Sequence, residues 1–243
     1  MVVILLNFKA ESRDQVMELF GEYKIKNQMI NGIEIISSVD LTFSGFNEIL
    51  AKRIFANKVN FKASTLSHNT FRDCEFIGSK FENCNLDYTN ISDCVITEAK
   101  FYKAQMKCIE IKVSTCINTC FDEAILVMGD LSGSNFTGAT FRGTNLTDCN
   151  ADEAFFDKAD FTGAILNNAN FETSDLIEAR LNKVNAKNTS FKSANLSGAD
   201  LSNGIFEGAN FTNAILENVN WKGAVIHGAT FDEHVLEEVL KQM

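Results

Sequence analysis

The chain has 243 residues, of which 45% are hydrophobic, no proline, and a formal net charge of −10. Its first apolar run, Val2 to Leu6, is too short to span a membrane and lacks a basic lead-in, so we expect a soluble, cytosolic protein. The seven cysteines form no C-x-x-C pair, which argues against a disulfide or metal framework and favours a reducing compartment.

Residues 1–35 follow no short repeat and are predicted to form an N-terminal capping segment of strand, helix and strand. Val2 to Phe8 has the composition of a short strand. Ser12 followed three residues later by Gln15 predicts a helix start. A second β-rich run, Gly32 to Ile36, leads into the rest of the chain. The alternative to a cap is a separate partner-binding element.

From residue 36 to residue 231, large apolar residues recur every five positions, and 16 of the 21 phenylalanines fall at positions ending in 1 or 6. We therefore interpret the aromatic residues as core. A small residue, such as Ala159 before Phe161, stands two positions earlier, and strand alternation points both inward. Because a period of five suits neither a helix nor one strand, the chain must turn a corner in each unit. Glycines two residues after the apolar centre suit such corners, at Gly133, Gly138, Gly143, Gly163, Gly198, Gly208, Gly223 and Gly228.

Steps of twenty residues bring like residues together. One column contains six phenylalanines, at 61, 81, 101, 121, 141 and 161, and a second is aliphatic, from Leu66 to Leu166. Four units therefore form one coil, and the coils stack about 4.8 Å apart. The pattern predicts an irregular first coil between Leu41 and Ala56, and a local irregularity between Met106 and Cys120, where the central residues are smaller.

Units such as Ala159-Asp160-Phe161-Thr162-Gly163 and Ala194-Asn195-Leu196-Ser197-Gly198 resemble the pentapeptide-repeat family. The resemblance implies an all-β fold, a right-handed quadrilateral β-helix of about ten coils. It implies less about function, because one fold hosts many functions.

Residues 232–243 leave the repeat, and Asp232 to Lys241 predicts a short helix with acids early and a base late. Its apolar residues are predicted to share one face and are Val235, Leu236, Val239 and Leu240. That face either caps the last coil or forms a two-fold homodimer contact. Self-association through C-terminal elements is common among the members of the family that the chain resembles, and capping and dimerisation are compatible with each other.

Residues with catalytic or metal-binding chemistry are sparse. His68 and His227 lie about eight coils apart and cannot share a site. His234 has no ligand cluster around it. Cysteines at inward positions are predicted to be core residues (Cys74, Cys84, Cys94, Cys116, Cys149), whereas Cys108 and Cys120 point outward and are candidates for reactive thiols. With no catalytic motif present, we expect no enzyme, no cofactor and no metal.

Negative charge is concentrated in the middle of the chain. Between Val113 and Arg180 there are eleven acidic residues against three basic ones. The candidate partner-binding residues are Asp148, Asp152, Glu153, Asp157, Asp160, Glu172, Asp175 and Glu178. Five of them are predicted to share two neighbouring corners: Asp152, Glu153 and Glu172 on one, Asp157 and Glu178 on the next. A dense acidic surface repels nucleic acid and attracts basic surfaces, so we expect a protein partner and no direct nucleic-acid binding.

Two functions are compatible with these features. The first is a non-enzymatic scaffold or effector that docks partners on the ends or faces of a rigid rod. The alternative is DNA mimicry, in which an acidic rod occupies a groove built for duplex DNA. The chain is similar to the quinolone-resistance pentapeptide proteins, the Qnr and MfpA group, and that resemblance implies a type II topoisomerase partner, DNA gyrase or topoisomerase IV, with fluoroquinolone protection. The sequence of the chain contains no obvious projecting loop of the sort that some members of that group use.

Overall fold

The computed structural model describes residues 8–242, which form a right-handed, four-sided β-helix with a helix near each end. From Asp40 to Asn210, parallel bridges join each outward residue to the residue twenty positions later, as from Lys100 to Cys120 and on to Thr140. This register continues without a break through residues 106–120. Neither helix within these residues has the length and hydrophobicity that crossing a bilayer requires.

Stacked side chains fill the interior of the coils. The rings of Phe61 and Phe81 lie 4.8 Å apart, as do those of Phe141 and Phe161, and the ring planes are nearly parallel. Small inward residues with a hydroxyl donate to a carbonyl of the preceding coil, as Thr144 does to Phe121 at 2.7 Å. A buried polar group is thus tolerated because its hydrogen bond stays inside the core.

Corners are formed by pairs of residues, of which the second adopts a left-handed backbone conformation. Glu153 and Lys158 have φ of 56° and 58°, and Gly138 has φ of 67°. All eight glycines predicted to occupy corners have positive φ. The outward residue supports the turn: the Asn135 side chain accepts a hydrogen bond from the Thr137 N–H at 2.9 Å.

The N-terminal part contains β1 (Phe8–Ala10), α1 (Arg13–Ile25) and β2 (Ile30–Ile35), which leads to β3 (Leu50–Phe55), β4 (Thr70–Arg72) and β5 (Asn90–Ser92). These strands form one parallel sheet in the order β1-β2-β3-β4-β5. Of the strand predicted from Val2 to Phe8, all but Phe8 lies outside the described residues. The Ser12 side chain caps α1 by accepting from the Gln15 N–H, and Phe20 packs edge-on against Phe46 at 5.0 Å.

The C-terminal helix α2 (Val235–Gln242) follows the last coil. Val239 is buried and Val235 packs against the core. Leu236 and Leu240 remain 40% and 56% exposed, so the four apolar residues predicted to share one face are divided between the coil and solvent.

Candidate functional site

Each coil has four outer faces, which we label A to D by their outward residues in one coil: Thr140, Asn145, Asn150 and Phe155. Two-residue corners separate the faces. The corner between faces C and D contains residues 152–153, and the corner between D and A contains residues 157–158. Residues twenty positions apart occupy the same face or corner in neighbouring coils.

Six predicted carboxylates gather on face D and its two corners, in two adjacent coils. We call this group the acidic patch: Asp152, Glu153, Asp157, Glu172, Asp175 and Glu178. Backbone hydrogen bonds fix the coils to each other, including one from the Glu153 N–H to the Glu172 carbonyl at 3.1 Å. The patch therefore rests on a framework of hydrogen-bonded coils, and binding through it would require little ordering.

An exposed aromatic ring lies inside the acidic patch. Phe155 is the outward residue of face D and is 45% exposed, while its neighbour Phe156 points inward and is fully buried. In the next coil, Asp175 is bridged directly to Phe155. An aromatic residue surrounded by polar groups is a common feature of protein-binding hot spots.

Charge within the acidic patch is weakly compensated. Within residues 8–242, the six carboxylates form one salt bridge, between Glu178 and Lys158 at 3.7 Å, and both partners are more than half exposed. Partial burial raises the pKa of Asp157, and repulsion from Asp175 raises it further. The like charges of Asp157 and Asp175 therefore repel each other in the folded protein.

Two of the eight predicted residues lie outside the acidic patch. Asp160 is on face A, only 7% exposed, and accepts a hydrogen bond from the Arg142 guanidinium at 2.8 Å. Although burial alone raises the pKa of Asp160, hydrogen bonds from Thr162 and Arg142 outweigh burial and lower it. Asp148 lies at the corner between faces B and C, where Asn168 donates to it. A third central acid, Asp130, is paired with Lys112 at 2.8 Å. Six of the eleven acids of the central segment thus form one compact patch.

The five-residue pattern does not predict an exposed ring at Phe155, because it places the aromatic residues as a class in the core. The signal was present in the sequence: Phe155 falls at an outward position directly before the inward Phe156, and it lies among acids. An outward aromatic residue flanked by acidic residues is therefore a signal that the sequence carries.

The remaining candidate residues form no second site. Cys108 and Cys120 are partly exposed, and the other five cysteines are buried. Burial raises the pKa of the Cys84 thiol to about 12, which keeps it protonated at neutral pH. Within residues 8–242 no group of three or more His, Cys, Asp or Glu side chains is arranged to hold a metal ion.

Comparisons with known proteins agree with this architecture. A model of the pentapeptide repeat region matches residues 164–239, and a model of pentapeptide repeats in eight copies matches residues 74–107, 116–150 and 139–176. A search of curated proteins found no match.

Solved structures that are similar to this chain have low sequence identity to it. HetL, a pentapeptide repeat protein involved in heterocyst differentiation regulation in the cyanobacterium Nostoc, is 21% identical with a TM-score of 0.56, over 87% of this chain and 90% of that one. The plasmid-mediated fluoroquinolone resistance protein QnrB1 is 17% identical with a TM-score of 0.45, over 82% of this chain and 96% of that one.

Proposed function

The chain belongs to the pentapeptide-repeat family, and from that premise we propose that it is a non-enzymatic, rigid scaffold or effector that binds a protein partner. The observation that carries the proposal is the acidic patch with the exposed ring of Phe155 inside it. A stiff outer face presents these groups in fixed positions, so docking costs little conformational entropy. This arrangement suits molecular recognition and lacks the concave, water-excluding surroundings that catalysis requires.

The charge and the ring together indicate the chemistry of the partner. Lys and Arg side chains on the partner would pair with the carboxylates and speed association, whereas nucleic acid would be repelled. Phe155 would enter a small apolar depression between those cations, and its burial would contribute more to affinity than the charges at the rim. The partner is therefore a protein with a basic surface around an apolar pocket.

A second candidate function is DNA mimicry toward a type II topoisomerase, DNA gyrase or topoisomerase IV. Carboxylates at two parallel corners favour it, since duplex DNA also presents two rows of negative charge. The small extent of the acidic patch favours the scaffold over the mimic. Duplex DNA carries a negative charge about every 1.7 Å along its whole length, so a mimic would need negative charge over many coils. The acidic patch spans two adjacent coils, and Asp160 and Asp130 are neutralised by Arg142 and Lys112.

The C-terminal end offers a further docking surface within the same proposal. Leu236 and Leu240 are exposed beside a groove of about 340 Å³ between α2 and the last coil, which Trp221 and Leu216 help to line. Val239 is buried and would cap the coil, whereas the two exposed leucines would contact a second copy. A homodimer would double the number of acidic patches and raise the avidity for a repeated partner.

Reversing the charge of the acidic patch tests the proposal. The variant Asp152→Lys, Glu153→Lys, Asp157→Lys, Glu178→Lys should keep the fold, because all four side chains lie at corners on the outside of the rod. It should lose the partner that the wild-type protein retains on an affinity column. Retention of that same partner by the variant would refute the patch as the binding site.

A further inference from the structure

The corner after β2 differs from the corners that follow it. Glu34 is bridged to Phe55, twenty-one residues later, whereas Asp40 is bridged to Asn60, twenty residues later. The segment from Glu34 to Asp40 is therefore one residue longer than the segment from Phe55 to Asn60 with which it is paired. Ile36, in the longer segment, is only partly buried. Such an insertion bends the chain away from the neighbouring coil.

The insertion separates this corner from the coil above it. At the corresponding corner one coil later, the Lys58 N–H donates to the Ile77 carbonyl at 2.8 Å. No such hydrogen bond joins the Ser38 N–H to the Asn57 carbonyl. A cleft of about 630 Å³ lies between the corner after β2 and the corner that contains Asn57 and Lys58. That volume lies within the range of small-molecule binding sites.

The lining of the cleft combines cations with apolar surface. It includes Lys9, Ile36, Ser37, Phe55, Asn57 and Lys58. Phe55 is 38% exposed, and its ring gives the cleft one flat apolar wall. Glu34 also lines the cleft and pairs with Lys9 at 3.3 Å, so Lys58 is the cation that this pair leaves available.

We propose that this first-corner cleft binds a small organic monoanion with a flat apolar body. The ligand would lay its apolar face on Phe55 and Ile36 and direct its carboxylate or sulfonate to Lys58 and the Ser37 hydroxyl. Among the side chains that line the cleft, two lysines and one glutamate leave one positive charge for the negative charge of the ligand. Glu75, in the next coil, accepts a hydrogen bond from Asn57 and is not part of this lining. The cleft is on the first coils, several coils away from the acidic patch, so the two surfaces can be occupied together.

Fluorescence titration with anilinonaphthalene sulfonate tests the proposal, because this probe is a flat aromatic monoanion. Binding should be saturable, and Lys58→Asn should weaken it by about tenfold or more. Asn tolerates the left-handed backbone that Lys58 adopts, so the fold should persist, as circular dichroism would verify. Phe55→Ser should weaken binding similarly, while Lys100→Asn, which removes an equal charge from face A, should change nothing.

Three results would overturn the proposal. One is equal affinity of the wild-type protein, Lys58→Asn and Lys100→Asn, which would place the probe elsewhere, for instance in the C-terminal groove. Another is equally tight binding of the uncharged N-phenylnaphthylamine, which would remove the role of the anion. The third is no saturable binding at all.

Discussion

Phe121 and Phe141 stand twenty residues apart in the sequence, yet their rings stack 4.9 Å apart with planes within 7° of parallel. Phe101 stacks on the other side of Phe121 at 5.1 Å, and Phe136 meets its edge at 5.9 Å. Aromatic contacts in both directions thus link one coil to the next. The rod is held together by columns that run along its axis.

Truncating one ring in this column should be costly. Phe121→Ala should lower the free energy of unfolding by about 3–5 kcal/mol, because it leaves a cavity that rigid coils cannot close. Phe155→Ala, at an outward position, should cost about 1 kcal/mol or less. Chemical denaturation of the two variants beside the wild-type protein measures both values. Equal losses would contradict the inward and outward assignment of these rings.

Two aspartates three residues apart should respond to pH in opposite ways. The lowered pKa of Asp160 means that its stabilising contribution is present above its unfolded pKa and is lost as pH falls through the folded value. Asp160→Asn should therefore cost about 1 kcal/mol at neutral pH, a modest value because Arg142 is exposed, and less in acid.

The raised pKa of Asp157 reverses the sign, since its ionisation in the folded state opposes burial and the charge of Asp175. Asp157→Asn should leave stability unchanged in acid and increase it at neutral pH. Denaturation midpoints at several pH values would check both variants. A shift of the same sign in both would contradict the assignment of one acid as paired and the other as repelled.

Thiol accessibility should divide the seven cysteines into two groups. Cys108 and Cys120 are partly exposed and should react with iodoacetamide in the native protein. Burial holds the pKa of Cys84 at about 12 and raises that of Cys116, so these should react only after unfolding. Mass spectrometry before and after the addition of denaturant counts the labelled cysteines. Rapid native labelling of Cys116 would contradict the packed core.

The repeat could be predicted from the sequence because the core imposes a strict period. Each centre, such as Leu126 or Phe141, must be apolar to be buried, and a slip of one residue would expose it. This constraint acts at every fifth position over most of the chain, so the columns of core residues can be predicted from the sequence alone.

The remaining features leave no periodic signal. The extra residue beside Ile36 changes the register by one within an apolar run, where Ile35 and Ile36 look equivalent in sequence. Pairing of surface charge depends on side-chain reach, so the neutralisation of Asp160 by Arg142, eighteen residues earlier, could not be anticipated. Five of the six residues of the acidic patch are predicted from the sequence to share two neighbouring corners, whereas the pairing of Asp130 and Asp160 with basic residues is visible only in the structure.

Assays with purified DNA gyrase separate the two candidate functions. If the rod is a DNA mimic, it should inhibit supercoiling, or protect it from a fluoroquinolone, and the fourfold lysine variant of the acidic patch should do neither. We expect the scaffold to have no effect at micromolar concentration. If the wild-type protein inhibits supercoiling and the lysine variant does not, DNA mimicry is the function and the scaffold proposal is wrong.

Site-specific photo-crosslinking at position 155 tests the central claim most directly. A photoreactive phenylalanine analogue in place of Phe155 should capture a discrete basic protein from an extract of the source cells. The same analogue at Met128, which is 56% exposed at the corner between faces B and C, should not capture it. Capture should weaken at high salt and disappear when Glu153 and Asp157 are changed to Lys. Equal capture at both positions, or capture that survives charge reversal, would contradict the acidic patch as the binding surface.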